Sequence, residues 1–106
     1  MVHEIHLCKL KPSANEETIE TMMVEARIRL LKIPEVLNLS CGKWINRTDH
    51  DYPFYFALDF ENMAKRQMAH NTGAYIKFEA QVIKSHVSKM EVLLFEMEPC
   101  KDVAYS

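Results

Sequence analysis

The stretches V-H-E-I-H-L-C-K-L (Val2–Leu10) and Y-P-F-Y-F-A-L-D-F (Tyr52–Phe60) alternate apolar and polar residues, the period of two that marks a β-strand. Between them Ile19, Met22, Met23, Ala26, Leu30 and Ile33 recur at helical spacing and make one apolar stripe. A second helical stretch and a last strand, Met90 to Met97, complete the order strand, helix, strand, strand, helix, strand. That order gives an α+β fold whose sheet carries helices on only one face. The other face must find cover elsewhere.

The punctuation between these elements is explicit. Ser13 opens the first helix, with Glu16 three positions on completing a capping box. Pro34 ends that helix near Lys32, because the residue before proline is pushed out of helical geometry. The next strand, Val36 to about Ile45, contains Gly42, which marks a bulge or a close approach. Asn46 to Asp51 is a polar turn that predicts an antiparallel hairpin. Asn62 caps a short helix over Met63 to His70, and Thr72 caps a further one in which Tyr75, Phe78 and Val82 share a face.

A chain of 106 residues reads as one domain, 1–106, with a core of its own. A net charge of −2 gives no electrostatic case for nucleic acid, whose partners carry a basic stripe. No apolar run approaches the roughly 20 residues of a membrane span, so no membrane partner is expected. Cys8, Cys41 and Cys100 are odd in number and lack metal-ligand spacing, which predicts reduced thiols in a cytoplasmic compartment.

Both faces of the first and last strands are apolar: Ile5 and Leu7 oppose Cys8 and Leu10, and Val92 and Leu94 oppose Leu93 and Phe95. An antiparallel sheet with one wet face alternates more cleanly. Cover from helices on one side and a partner subunit on the other is therefore expected, which predicts a homodimer. Burying six large side chains there contributes on the order of 10 kcal/mol before entropy is counted.

The text V-H-E-I-H-L-C-K-L-K-P at the start, K-I-P-E-V-L-N-L-S-C-G-K after the first helix, D-Y-P-F-Y-F-A-L-D-F-E, A-Y-I-K-F (Ala74–Phe78) and the closing V-L-L-F-E-M-E-P resemble the stress-responsive A/B barrel, or Dabb, domain over about residues 2 to 99. The resemblance implies a ferredoxin-like β-α-β-β-α-β domain with a four-stranded antiparallel sheet. It also implies that two subunits join as a dimeric α+β barrel. In enzyme members of the family a small pocket lies between a subunit's own helices and sheet, and known activities include polyketide cyclisation and hydroxynitrile cleavage. The cyclase-type members carry a catalytic His where this chain has Tyr75 and a Tyr where it has Ala69. Most members have a His near the start of the first strand where this chain has Glu4. Direct transfer of the cyclase mechanism is therefore not supported.

Alternation puts Glu4, His6, Cys8 and Leu10 on one face of the first strand, and Phe54, Phe56, Leu58 and Phe60 on one face of the third. By analogy with the family both faces look toward the helices, where Met22, Ala26, Tyr75, Phe78 and Val82 close over them. Such a site would be lined by Cys8, Met22, Ala26, Phe54, Phe56, Leu58, Phe78 and Val82 and would suit a small apolar or aromatic ligand. Its polar groups, His6, Tyr75 and Glu4, are the candidate catalytic residues of a cofactor-free acid–base enzyme. Imidazole titrates near neutral pH and serves as a general base, while Tyr75 donates to a carbonyl or enolate oxygen. Burial is expected to raise the Glu4 pKa, with His6 opposing the shift.

Each residue also has an ordinary structural reading: His6 as a hydrogen-bonded sheet histidine, Glu4 as an exposed or salt-bridged strand-end residue, Tyr75 as core. A binding protein without turnover, or a dimer whose interior is filled by its own side chains, is the alternative. A metal site is not expected, since alternation splits His3 from Glu4 and His6. His50, His70 and His86 read as solvated residues of loops and helix ends, and Lys9, Lys11, Lys43 and Arg47 as a solvated rim.

Overall fold

A computed structural model describes residues 1–45 and 52–98. Strands β1 (Val2–Leu10) and β3 (Phe54–Phe60) run antiparallel at the centre of a four-stranded sheet, with β2 (Asn38–Lys43) beside β3 and β4 (Val87–Glu96) beside β1. Helix α1 (Glu16–Leu30) connects β1 to the far edge. The second connection holds α2 (Met63–His70), α3 (Gly73–Phe78), a π-helical turn (Glu79–Ile83) and α4 (Lys84–His86). The expected ferredoxin-like order is the one observed. The expected hairpin turn at Asn46 to Asp51 lies outside the described residues.

The registers fix which side chains share a face. Glu4 pairs with Leu58 and Leu94, His6 with Phe56 and Val92, and Cys8 with Phe54 and Met90. One irregularity interrupts the ladder between Lys9 and Leu10. On β2 the register stays regular through Gly42, so that glycine marks a close approach and not a bulge. A Cβ there would run into the ring of Tyr55.

Helix α1 begins two residues later than Ser13 and Glu16 suggest. Its cap is Asn15, in extended geometry, whose side chain accepts from the Thr18 N–H at 2.9 Å, while the Asn15 N–H donates to the Thr18 hydroxyl at 3.2 Å. Asn15–Thr18 thus forms the capping box, and it won because Asn is at least as good a cap as Ser. The stripe of α1 is turned inward, with Met22, Ala26 and Leu30 fully buried. Asn62 and Thr72 cap α2 and α3 as expected. Strand β4 starts at Val87, earlier than Met90, because α4 runs directly into it and Leu10 pairs with Val87. Strand β2 is shorter at both ends than its sequence pattern implies, and β3 begins at Phe54.

The helices cover one face, where Phe54, Phe56, Leu58, Phe60, Met22, Leu30, Tyr75 and Phe78 form the core. On the opposite face lie His3, Ile5 and Leu7 of β1, Tyr55 and Ala57 of β3, and Leu93 and Phe95 of β4, with Phe95 53% exposed. Both faces of β4 are open at this edge, since Val92 and Leu94 on the helix side are 41% and 44% exposed. Among the described residues no helix is long and apolar enough to cross a membrane.

A buried carboxylate cluster as the candidate active site

The two-residue period of β1 sends Glu4, His6 and Cys8 under the helical layer, and all three are buried. Glu4 is 0% exposed. A carboxylate removed from water loses several kcal/mol of hydration, so it persists only where donors replace that water. Three side chains do so. His6 Nε2 lies 2.5 Å from Glu4 Oε1, His70 Nε2 lies 3.0 Å from both carboxylate oxygens, and Arg66 Nε donates to Oε2.

Two of those donors come from α2. Arg66 and His70 stand four residues apart and therefore share one face of that helix. The Asn62 cap, accepting from the Lys65 N–H at 2.9 Å, fixes where the helix starts and so which face meets β1. Ala69, fully buried, lets the face approach the sheet closely. His70 is not the solvated helix-end residue expected from sequence: its side chain is 21% exposed, and its ring stacks on Tyr75 at 4.2 Å. Arg66 carried no sequence expectation at all. The signal that could have found both is their i, i+4 spacing on a capped helix opposite a buried acid.

The electrostatic outcome reverses the expectation for Glu4. Burial raises a carboxyl pKa, but the hydrogen bonds from His6, His70 and Arg66, with the charge of His6, outweigh it. Glu4 is held well below the ordinary carboxylate range. An ionised carboxylate only accepts, so the His6 Nε2 it touches is the one that carries a proton. That commits the ring. Its other nitrogen, Nδ1, is buried and has no hydrogen-bond partner among the described residues. The imidazole stacks on Phe56, 4.2 Å between centroids and 8° from parallel, and Phe56 meets the edge of Phe78 at 5.5 Å.

Tyr75 is buried, and burial first, then the charges of Glu4 and Glu79, push its hydroxyl well above the ordinary phenol range. It stays protonated and can only donate or accept as a neutral group. The Cys8 thiol is pushed up to about 12 by burial, with Cys41 adding to the shift, which makes it a packing residue and not a nucleophile.

The remaining sequence candidates come together, but as a packed interior. Cys8, Met22, Ala26, Phe54, Phe56, Leu58, Phe78 and Val82 all belong to the core with Tyr75 and are 4% exposed or less. The surface depressions lie elsewhere. One groove of about 470 Å³ runs between Leu7, Trp44, Tyr52 and Tyr55, and another of about 250 Å³ between Val2, Met63 and Leu94. Neither is lined by Glu4, His6 or Tyr75. His3 points to the other face and pairs with Asp59, which also accepts from Asn38 at 3.4 Å. Among the described residues no three His, Cys, Asp or Glu side chains are grouped to hold a metal ion.

Comparison with known proteins gives a family and a fold. Residues 2–98 match the family described as the Stress responsive A/B Barrel Domain, Dabb. A Dabb family protein with a ferredoxin-like fold from Mesorhizobium loti is similar with a TM-score of 0.78 and 17% identity, over 92% of this chain and 97% of that one. A dimeric ferredoxin-like protein of unknown function from Thermobifida fusca gives 0.79 at 14% identity, covering 91% and 90%. The hydroxynitrile lyase of Passiflora edulis gives 0.78 at 14% identity, covering 95% and 96%. No curated protein matches the chain significantly.

Proposed function

Because the chain belongs to the stress-responsive A/B barrel (Dabb) family, we propose that it works as a homodimer with a cofactor-free acid–base centre under its helices. The substrate class is a small aromatic or polyketide-like carbonyl compound, and the reaction is of the cyclase, lyase or isomerase type. One observation carries this reading: Glu4 commits His6 Nε2 as a donor, leaving a buried Nδ1 with no partner among the described residues. A buried polar atom without a partner costs about 1–3 kcal/mol, and a substrate proton would relieve it.

In the proposed step, Nδ1 of the neutral ring takes a proton from carbon or oxygen next to the reacting carbonyl carbon. The electron pair left behind moves onto the carbonyl oxygen or expels a leaving group. Hydroxynitrile cleavage, the activity named for the Passiflora protein, is a related form in which the base takes the hydroxyl proton, the carbonyl forms and the bond to the nitrile carbon breaks to release cyanide. Tyr75, held protonated by burial, donates to the developing oxyanion. Glu4 stabilises the imidazolium that forms, as an orienting carboxylate does in other triads.

The open sheet face supports the dimer. Leu93, Phe95 and Tyr55 lie there beside Ile5 and Leu7, and the similar Thermobifida protein is described as dimeric. A second copy facing this sheet would close a barrel. Light scattering on the eluting protein should give twice the chain mass at micromolar concentration; a monomer would remove the assembly.

A second reading has its own support. The close packing around His6 favours a non-catalytic dimer with its interior filled by its own side chains. Paired His6→Ala and Tyr75→Phe variants decide between them in an assay of aromatic cyanohydrins and aromatic ketones. Loss of turnover by about a hundredfold or more with retained ligand affinity is expected of a general base. Unchanged turnover removes the assignment.

A further inference from the structure

The same carboxylate that commits His6 also pins two groups facing outward. Arg66 is tied to Glu4 through Nε alone, and its side chain is 19% exposed. Its two terminal nitrogens have no partner among the described residues. His70 is likewise tied through Nε2 and braced by the Tyr75 ring. A guanidinium fixed at one nitrogen presents a planar fork at no further cost in rotamer entropy, and that fork matches the two oxygens of a carboxylate.

The acid that holds the fork also adjoins an apolar surface on β4. Leu94 and Val92 are the direct cross-strand neighbours of Glu4 and His6 on the helix side of the sheet, yet they are 44% and 41% exposed. The helices stop short of this edge. A cationic fork and an apolar ledge thus flank one buried acid–base pair.

We propose that Arg66, held in place by Glu4, is a recognition site for the carboxylate of a small substrate whose apolar body lies on Leu94 and Val92. The inference rests on the acid–base reading of His6 and narrows its substrate class to apolar or aromatic oxo acids. His6 and Arg66 bind opposite oxygens of one Glu4 carboxylate, on Oε1 and Oε2 respectively. The anionic head and the reacting carbonyl therefore sit close together in one small molecule.

The test is a calorimetric and NMR titration of the full chain with benzoate, with its neutral counterpart benzamide, and with inorganic phosphate. Benzoate should bind about tenfold or more tightly than benzamide, the value of one charge-assisted bidentate contact. The amides of Arg66, His70 and Leu94 should shift, and Arg66→Lys, which keeps the charge but not the fork, should remove the preference. Phosphate binding as tightly as benzoate would overturn the role of the ledge, and equal affinity for benzoate and benzamide would overturn the site. If Arg66→Lys does not fold, the wild-type preference and its loss in Leu94→Asp decide the matter. Failure here is separable from failure of the catalytic reading. Turnover lost in His6→Ala with no benzoate preference sinks only this site; a preference without any turnover sinks only the acid–base role.

Discussion

Replacing Glu4 by glutamine removes one negative charge from the centre of the molecule while keeping its shape. The side chain is 0% exposed and holds three donors, of which Arg66 and His70 remain 19% and 21% exposed. Breaking a buried pair by neutralising one partner costs about 3–5 kcal/mol. The partial exposure of the two α2 donors places Glu4→Gln near the lower end, about 3 kcal/mol. For a domain of this size that corresponds to a fall in Tm of roughly 12 °C. The pH dependence follows from the depressed carboxyl. Below the ordinary range of glutamate, near pH 4.5, the unfolded chain binds a proton at position 4 and the native chain does not. Glu4 therefore contributes stability that is complete above that pH and is lost as pH falls toward its folded-state pKa. The loss approaches about 1.4 kcal/mol per pH unit for a single proton. Urea unfolding of both proteins at fixed concentration, between pH 3 and 7, should show a gap that is constant above pH 5 and shrinks below pH 4.5. A loss under 1 kcal/mol at pH 7, or a gap that widens on acidification, would refute the electrostatic description of the site.

Other consequences follow from single contacts. Asn15→Ala should cost about 1 kcal/mol, and Ser13→Ala less than about 0.5 kcal/mol, because the former alone caps α1; chemical denaturation of the two variants checks the ranking. Gly42→Ala should cost about 1 kcal/mol through the clash with Tyr55, and the cost should vanish in a Tyr55→Ala background. Alkylation with iodoacetamide at pH 8, read by mass spectrometry, should modify the half-buried Cys41 well before Cys8, whose thiol is pushed up to about 12. Phe56→Ala, which deletes the ring that stacks on His6, should destabilise by about 4 kcal/mol in thermal unfolding.

What the sequence made legible follows from the strength of each local signal. The inward row of Glu4, His6 and Cys8 was readable because a strand has a period of two and a slip of one residue would bury Lys9. Asn62 and Thr72 were readable as caps because each stands at the break just before a helical run, whereas Ser13 and Asn15 compete over α1. The α2 contribution was not readable. The segment M-A-K-R-Q-M-A-H is polar enough to pass for a solvated helix, and Arg66 and His70 acquire meaning only when the chain brings them over Glu4 from 62 and 66 residues away. The sign of the Glu4 shift was missed for the same reason. Burial was visible from the strand, and two of the three donors that outweigh it were not. The π-helical turn Glu79–Ile83 has the composition of an ordinary helix and gave no local warning.

The claim beneath all of this is that an ionised Glu4 receives a proton-bearing Nε2 from His6. Long-range nitrogen–proton NMR of the imidazole rings reports which His6 nitrogen is protonated. The account predicts a protonated Nε2, whether or not Nδ1 also carries a proton, and a spectrum that changes when Glu4 becomes glutamine. A bare Nε2 with the proton confined to Nδ1 would contradict it.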